Sequence, residues 1–413
     1  MNQLKILYIH HAKDFSANAV YLSDDLRAAN KSLFGAQEMD SWAGFRILAQ
    51  SFPTYRLQIS TNLSALQLIL PTGQVFEPIK IDVPKTLRDK LNRNYLKVIF
   101  EYLDPSFALF SDPKIGQTIE EIVSKYEISL IWSDTQFYVP ALPSHIRLII
   151  RSVNFEPSHV LREDTSPFRF LKAIGKTWSE RKTLLKAEVV AISPRDASSY
   201  NKLTKQKVTH IPLRQLGFLL QQAPNWDYAS APKFPPFFYF AGSSFDIKHN
   251  RDNLEYLVKE IAPALEKEHP EVLLLVFGHR FPDGLKLPSN VRRMYFSDDF
   301  FAHVQHSLGA IVPGRGGAGM QSKIFEPLCL GVPLIANENA IAGYSLLAGV
   351  HFWKASSRED ILKAINSIIV DRKATEIKVH DAKAFASLLF QHELVKRFVH
   401  KIVITDPREP ITS

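Results

Sequence analysis

Between Ala310 and Asn337 the chain reads AIVPGRGGAGMQSKIFEPLCLGVPLIAN, and three side chains in it are spaced to act together: Arg315, Lys323 and Glu326. Arg315 sits in a glycine-rich turn with Gly316, Gly317, Ala318 and Gly319. Glycines let backbone N–H groups approach an anion with no Cβ in the way. A helical segment follows from Met320 to Leu330 and closes at Gly331 and Pro333. Its N-terminus would bring unpaired N–H groups and partial positive charge to the same place. Arg315 adds a planar fork of donors, and Lys323 a point charge one turn into the helix. Glu326, three residues on, shares the face of Lys323. A carboxylate suits the hydroxyls of a ribose better than a phosphate. Together the three residues point to a nucleoside diphosphate. The competing reading is a buried strand–turn–helix–strand with a surface Lys–Glu pair, because a glycine pattern alone is weak.

The elements that must hold these residues are legible on both sides of them. Phe237–Ala241 reads as a strand, Gly242-Ser243-Ser244 as a small-residue turn, and Asn250–His269 as a long helix. Val272–Phe277 is a second strand, ended by Gly278-His279-Arg280. Val291–Phe296, a helix over Asp298–His306, Val350–Trp353 and a helix over Ser357–Val370 complete a strictly alternating half. Asp298 and Asp299 read as a helix cap rather than a metal pair, and the histidines, His303 and His306 included, lack metal-ligand spacing.

The first half alternates less cleanly. Leu4–Ile9 reads as a buried strand followed by a polar turn that starts with His10 and His11. Helical segments are expected over Ala17–Ala29, Thr86–Tyr102 and Gly116–Tyr126, with strands at Ile128–Trp132 and Ile146–Ile150. Arg151, Asn154 and Glu156 follow that last strand, where open α/β sheets carry their ligand groups. The plainer alternative there is a solvated loop with a helix cap at Ser158. Leu216–Pro236 is proline-rich and aromatic, as expected of an interdomain linker.

Pro313-x-Arg315-x-Gly317-Ala318-Gly319-x-x-x-Lys323-x-x-Glu326, then Gly331-x-Pro333, resembles the donor-site signature of retaining GT-B glycosyltransferases of the group 1, or family 4, type. That resemblance implies an α/β fold of two Rossmann-like domains facing across a cleft. Residues 1–215 would form the acceptor-binding domain, 216–236 the linker and 237–380 the nucleotide-sugar domain, with 381–413 a helix crossing back to the first. It implies transfer of a sugar from a nucleoside-diphosphate sugar to a glycan, lipid-linked or other acceptor, with retention and without a metal or other cofactor. Arg315 and Lys323 would hold the donor diphosphate and Glu326 the ribose. Gly242, Ser243 and Ser244 would approach the phosphates, and Gly278, His279 and Arg280 would border the base. Glu156, with His10, His11, Arg151 and Asn154, would serve the acceptor side, Glu156 as a catalytic candidate beside Arg315 and Lys323. Many members carry a second glutamate eight residues before the ribose-binding one; here that place is Ala318. The departure keeps two rivals in view, an idle nucleotide- or glycan-binding protein and a sugar-nucleotide epimerase.

Composition bounds the rest. The chain has 413 residues, 46% of them hydrophobic, enough for two or three packed domains. Its single cysteine, Cys329, excludes an intrachain disulfide and fits a reducing compartment. No secretory leader is apparent, so a cytoplasmic protein is expected, with a peripheral place at the inner face of the membrane as a further expectation. A net charge of +8 favours an anionic partner. Nucleic acid is not expected, for want of any zinc spacing, RNA-binding motif or basic DNA-reading helix. In Pro167–Lys186, Phe168, Leu171, Ile174 and Trp178 recur at three- and four-residue steps among Arg169, Lys172, Lys176, Arg181, Lys182 and Lys186. The stripe itself is expected to pack on the first sheet; the excess positive charge suggests weak contact with an anionic membrane surface.

Overall fold

A computed structural model describes residues 3–12, 15, 36–60, 64–81, 95–152, 154–204, 208–222, 234–297, 300–317 and 320–405. The helix expected over Ala17–Ala29, the acids Asp298 and Asp299, and the loop residues Ala318 and Gly319 lie outside them. Among the described residues the contacts gather into two units. One holds the N-terminal strand, everything from Gln37 to Arg214 and the chain from Val395 onward; the other runs from Gln215 to Leu394.

The first unit is built on eight strands: β1 Ile6–Ala12, β2 Thr54–Ser60, β3 Ala65–Ile69, β4 Ile79–Lys80, β5 Leu130–Ser133, β6 Arg147–Ser152, β7 Glu188–Ala191 and β8 Thr209–His210. They lie in the order β4-β3-β2-β1-β5-β6-β7-β8. From β2 to β8 neighbours are parallel, whereas β3 and β4 attach as antiparallel edge strands. The central strands read as unbroken apolar runs because both of their faces are covered: Ile6, Leu7, Tyr8 and Ile9 are all fully buried. Helix Pro113–Tyr126 starts on Pro113, with the Asp112 side chain accepting from the Lys114 N–H, and ends on Glu127 in the left-handed region. Its Ile115, Ile119, Ile122 and Val123 face the core with Leu7, Ile9 and Ile131.

The second unit carries six parallel strands: β9 Phe237–Ser244, β10 Leu273–His279, β11 Val291–Met294, β12 Gly309–Val312, β13 Leu334–Ala336 and β14 Trp353–Lys354. Their order is β11-β10-β9-β12-β13-β14. Helix Lys248–Tyr256, a π-helical turn Leu257–Ile261 and helix Ala262–Glu268 join β9 to β10. Helix Ser322–Leu330 joins β12 to β13 and is closed by Gly331 at φ 69°. After β14, Ser357 and Asp360 form a capping box on helix Arg358–Val370.

Several expectations shift. β1 runs on through His10 and His11, which are strand residues and not a turn. β9 likewise extends through Ser244. The segment expected as a linker opens with a helix, Gln215–Gln222, and its residues 223–233 lie outside the described ones. The single terminal helix is two, Arg372–Leu389 and His392–Ile404. The end of the second packs in the first unit, where Arg147 Nη2 donates to Ile402 O at 2.7 Å and His400 stacks on Phe52. The largest reversal concerns helix Arg169–Lys186. The stripe expected against the sheet faces solvent: Leu171 is 66% and Ile174 63% exposed. Among the described residues no helix is long and apolar enough to cross a membrane.

Candidate functional site

In a doubly wound sheet, ligands bind beyond the carboxyl ends of the strands where the winding reverses. In the second unit that point lies between β9 and β12, since β10 and β11 follow β9 outward on one side and β13 and β14 follow β12 on the other. The ends of these two strands are Gly242–Ser244 and the Pro313–Gly317 loop. Gly314, Gly316 and Gly317 all have positive φ, at 66°, 79° and 84°. At Gly314 a Cβ would also fall 2.0 Å from Asn337 Oδ1, so the position admits only glycine.

Neutral side chains hold this loop. Asn339 Nδ2 donates to the carbonyls of Gly314 and Gly316, at 2.8 and 2.9 Å. Asn253 Nδ2 donates to Arg315 O at 3.3 Å, and Asn253 Oδ1 accepts from the Arg315 N–H at 3.0 Å. Across a planar trans peptide the N–H points opposite to the carbonyl before it. With the carbonyls of 314, 315 and 316 pinned, the directions of the following N–H groups are set as well. The exposed Arg315 guanidinium lies over the Tyr256 ring, 3.6 Å from its centroid. Lys323 Nζ donates to Asn250 Oδ1 at 2.6 Å and stands 5.0 Å from the Phe240 ring centroid. Asn250 Nδ2 in turn donates to Ser244 O at 2.9 Å, which ties Lys323 to the end of β9.

Asn250, Asn253 and Tyr256 thus line one face of helix Lys248–Tyr256 and hold both cations within two helical turns. The sequence reading missed all three, and Asn339 with them. Their spacing of three residues, directly after the Gly242–Ser244 segment, was the available signal.

Glu326 is 3% exposed. Its charge acts on Tyr239, Tyr344 and Cys329, whose burial, reinforced by Glu326, raises their pKa values well above normal. The alternative of a surface Lys–Glu pair therefore fails: this carboxyl points into the unit. Gly278 has a packing reason, because a Cβ there would lie 2.4 Å from Gly242 O and 2.5 Å from the Phe245 ring. His279 is half-buried beside Tyr295 and Phe296. Arg280 is exposed and ion-paired to Asp246 at 2.5 Å. Ser243 is exposed at the end of β9.

The corresponding point of the first sheet lies between β1 and β5. His11 is half-buried there, stacked on Phe110 and edge-on to Tyr138, with centroids 5.3 and 5.1 Å away. Burial lowers its pKa to about 4, so the ring is neutral at pH 7. His10 is fully buried, and burial together with the nearby Arg56 lowers its pKa further below normal. Asn154 is half-buried, its carbonyl accepting from Ser152 Oγ at 2.7 Å. Glu156 is the first residue of helix Glu156–Glu163, where a helix and not a solvated loop begins, and its carboxylate lies 3.7 Å from Lys176 Nζ. Behind it, the wholly buried Glu180 accepts from Gln136 and Tyr200 and from the Glu156 backbone N–H. Burial, then the charge of Glu156, pushes the Glu180 carboxyl up to about 8.

Arg151 belongs to the interior. It is fully buried, with Nε 2.7 Å from Asp40 Oδ2 and its other nitrogens donating to Asp40 Oδ1 and to the carbonyls of Ile211 and Pro212. With four of its five N–H donors bonded and the side chain fully buried, this guanidinium holds β6 to helix Ala36–Ala49.

No protein-family model matches the chain, and no curated protein matches its sequence. Solved structures do resemble it along nearly its whole length. The likeness to sucrose-phosphate synthase from Thermosynechococcus elongatus covers 97% of this chain and 98% of that one, with a TM-score of 0.64 at 16% identity. Anabaena HepE in complex with UDP and glucose matches over 97% and 99%, with a TM-score of 0.54 at 14% identity. A putative UDP-N-acetylglucosamine 2-epimerase from Listeria monocytogenes matches over 100% of both chains, with a TM-score of 0.54 at 11% identity. Two units, each with a parallel-dominated sheet and a central switch point, give this chain the GT-B fold of two Rossmann-like domains.

Proposed function

We propose that the chain is a glycosyltransferase that uses a nucleoside-diphosphate sugar as donor. The observation that carries this reading is the arrangement at the β9/β12 switch point. There Arg315 and Lys323 are held by Asn253, Asn250 and two aromatic faces around a loop of left-handed glycines. Negative charge grows on the diphosphate as the sugar leaves, and fixed cations with preset backbone donors stabilise that state at little reorganisation cost. The two side chains and the helix N-terminus would supply that stabilisation without a metal. Retention follows from the likeness of the loop to the retaining enzymes. Glu326 would meet the ribose from the inner side of its helix. On the acceptor side we keep His11, Asn154 and Glu156, and assign His10 and Arg151 to support. A glycan or lipid-linked acceptor fits this division of labour.

The fold likeness also extends to a putative epimerase, which makes an epimerase the second reading. Incubating the protein with a panel of nucleoside-diphosphate sugars, with and without oligosaccharide and lipid-linked acceptors, separates the two. Transfer releases nucleoside diphosphate and extends an acceptor. An epimerase instead returns an altered sugar nucleotide, while binding with neither product identifies an idle binding protein and overturns the proposal.

A further inference from the structure

Helix Arg169–Lys186 is turned inside out. The residues it buries include Ala173, Gly175, Ser179, Glu180 and Thr183, which are small or polar. Leu171, Ile174, Trp178 and Leu185 share the opposite face at helical spacing and are 66%, 63%, 43% and 69% exposed. Gly175 lets a second helix in close, since a Cβ there would stand 2.2 Å from Leu103 O. Trp178 Nε1 clamps the crossing by donating to Glu101 O at 2.8 Å. Helix Tyr95–Tyr102 therefore lies alongside. It brings an exposed row of its own: Leu96, Phe100, which is 73% exposed, and Leu103 just past its end. Two adjoining apolar rows of this extent exceed the scattered surface hydrophobes of an ordinary soluble unit.

On the outward side of helix Arg169–Lys186 the charge has one sign. The outward side of helix Arg169–Lys186 carries no carboxylate, because its only acid, Glu180, is buried. Arg169 and Arg181 are exposed and make no ion pair among the described residues; the Arg169 guanidinium rests 4.9 Å from the Phe170 ring centroid. The neighbouring acids Asp164 and Glu101 are already matched by Lys172 and Lys186. We propose that this two-helix face docks on an anionic lipid bilayer, its leucines, isoleucine and phenylalanines entering the interface and Arg169 and Arg181 meeting the headgroups. Trp178, apolar in body with its N–H bonded, suits the headgroup level. A second copy of the chain would set the same unpaired cations against each other, which disfavours a dimer on this face. The docking surface needs no donor site, so its failure would leave the transfer reading standing.

Flotation with vesicles tests it. The whole protein should float with phosphatidylglycerol-containing vesicles at low salt and less with pure phosphatidylcholine. Trp178 emission should shift to the blue on binding, a shift absent in Trp178→Phe. Leu171→Glu with Ile174→Glu should cut vesicle binding by about tenfold or more. Arg169→Glu with Arg181→Glu should remove the preference for anionic lipid. All four positions are exposed, and an unchanged thermal midpoint certifies the fold of each variant. The proposal is overturned if the unaltered protein stays with the dense fraction at low salt. It is equally overturned if the Leu171→Glu/Ile174→Glu protein floats as well as its parent, or if sedimentation velocity finds a dimer that this pair dissociates.

Discussion

At the switch point of the first sheet, charge is matched by charge. Arg214 Nη2 bonds both Asp40 and Asp134, at 2.9 and 2.8 Å; Arg151 bonds Asp40; and Tyr8 donates to Asp134. All are buried. At the switch point of the second sheet, cations are placed by neutral groups: Arg315 by Asn253 and the Tyr256 ring, Lys323 by Asn250 and the Phe240 ring. Carboxylates that pin an arginine also cancel it. Amides and ring faces pin a cation and leave its charge in place. One sheet has spent its charges on its own cohesion, while in the other the exposed Arg315 guanidinium rests on a ring face with no carboxylate paired to it among the described residues. The same topology thus supports a braced scaffold in one unit and a candidate anion site in the other.

Breaking the brace should have the largest effect. Asp40→Ala takes the carboxylate from Arg151 and one of two from Arg214, both out of water. Breaking a buried pair by removing one partner costs about 3–5 kcal/mol, and urea unfolding of the first unit should show a loss of that size. The Asp40 carboxyl is held below its usual pKa by Arg151 and Arg214 against the opposing effect of burial. Its contribution is therefore complete above the unfolded value near pH 4 and lost as pH falls through the folded one. An Asp40→Ala protein as stable as the parent at pH 7 would mean the network is not a brace.

The cations of the second unit should respond in kinetics instead. Arg315→Ala and Lys323→Met remove charge that counts most as the diphosphate departs. A loss of about 2–4 kcal/mol would slow turnover roughly 30- to 1000-fold with little change in ground-state donor binding or stability. Glu326→Gln, at a group the reaction leaves unchanged, should chiefly raise the apparent KM for donor. Normal turnover in both Arg315→Ala and Lys323→Met would erase the contrast between the two switch points.

Glu180 sharpens the comparison from the first unit. Its carboxyl is neutral in the fold up to about pH 8 and ionised when unfolded above about pH 4.3. Between these values the folded state binds the extra proton, so stability falls as pH rises, by up to about 1.4 kcal/mol per pH unit. From pH 5 to pH 7 that amounts to roughly 2–3 kcal/mol. Glu180→Gln keeps a polar group at the place and should flatten this slope; an unaltered slope would assign it to other groups.

What the sequence disclosed follows from how local each signal is. Strands that are apolar on both faces and the glycine loop with its Arg and Lys are written in consecutive residues, and these located the alternating order and the second switch point. Asn253 acts on Arg315 across 62 residues, and the contact exists only because β9 and β12 are neighbours. Arg151 was read as a ligand group because strand ends often carry them, while its partner Asp40 lies 111 residues away. For helix Arg169–Lys186 the period revealed a stripe but not its direction. The small residues Ala173, Gly175, Ser179 and Thr183 opposite it were the sign that the bulky side faces out, since close helix packing needs small side chains.

Asn253 offers the smallest and most discriminating test. Its amide holds both the N–H and the carbonyl of Arg315, yet in this arrangement it positions the loop and has no share in the charge. Asn253→Ala leaves Arg315 in the chain and the Tyr256 ring beneath it. If the cation works because a neutral clamp aims it, turnover should fall by about 1 kcal/mol, near fivefold, the net worth of such hydrogen bonds. Asn253→Asp then separates aiming from charge. An aspartate can still accept from the Arg315 N–H, but it puts a negative charge at the Arg315 backbone where a neutral amide stood. Turnover should fall further than in Asn253→Ala, and the deficit should shrink as salt screens the added charge. Equal activity in the two variants would show that neutrality at this position is irrelevant, and the distinction between the braced unit and the open one would lose its physical basis.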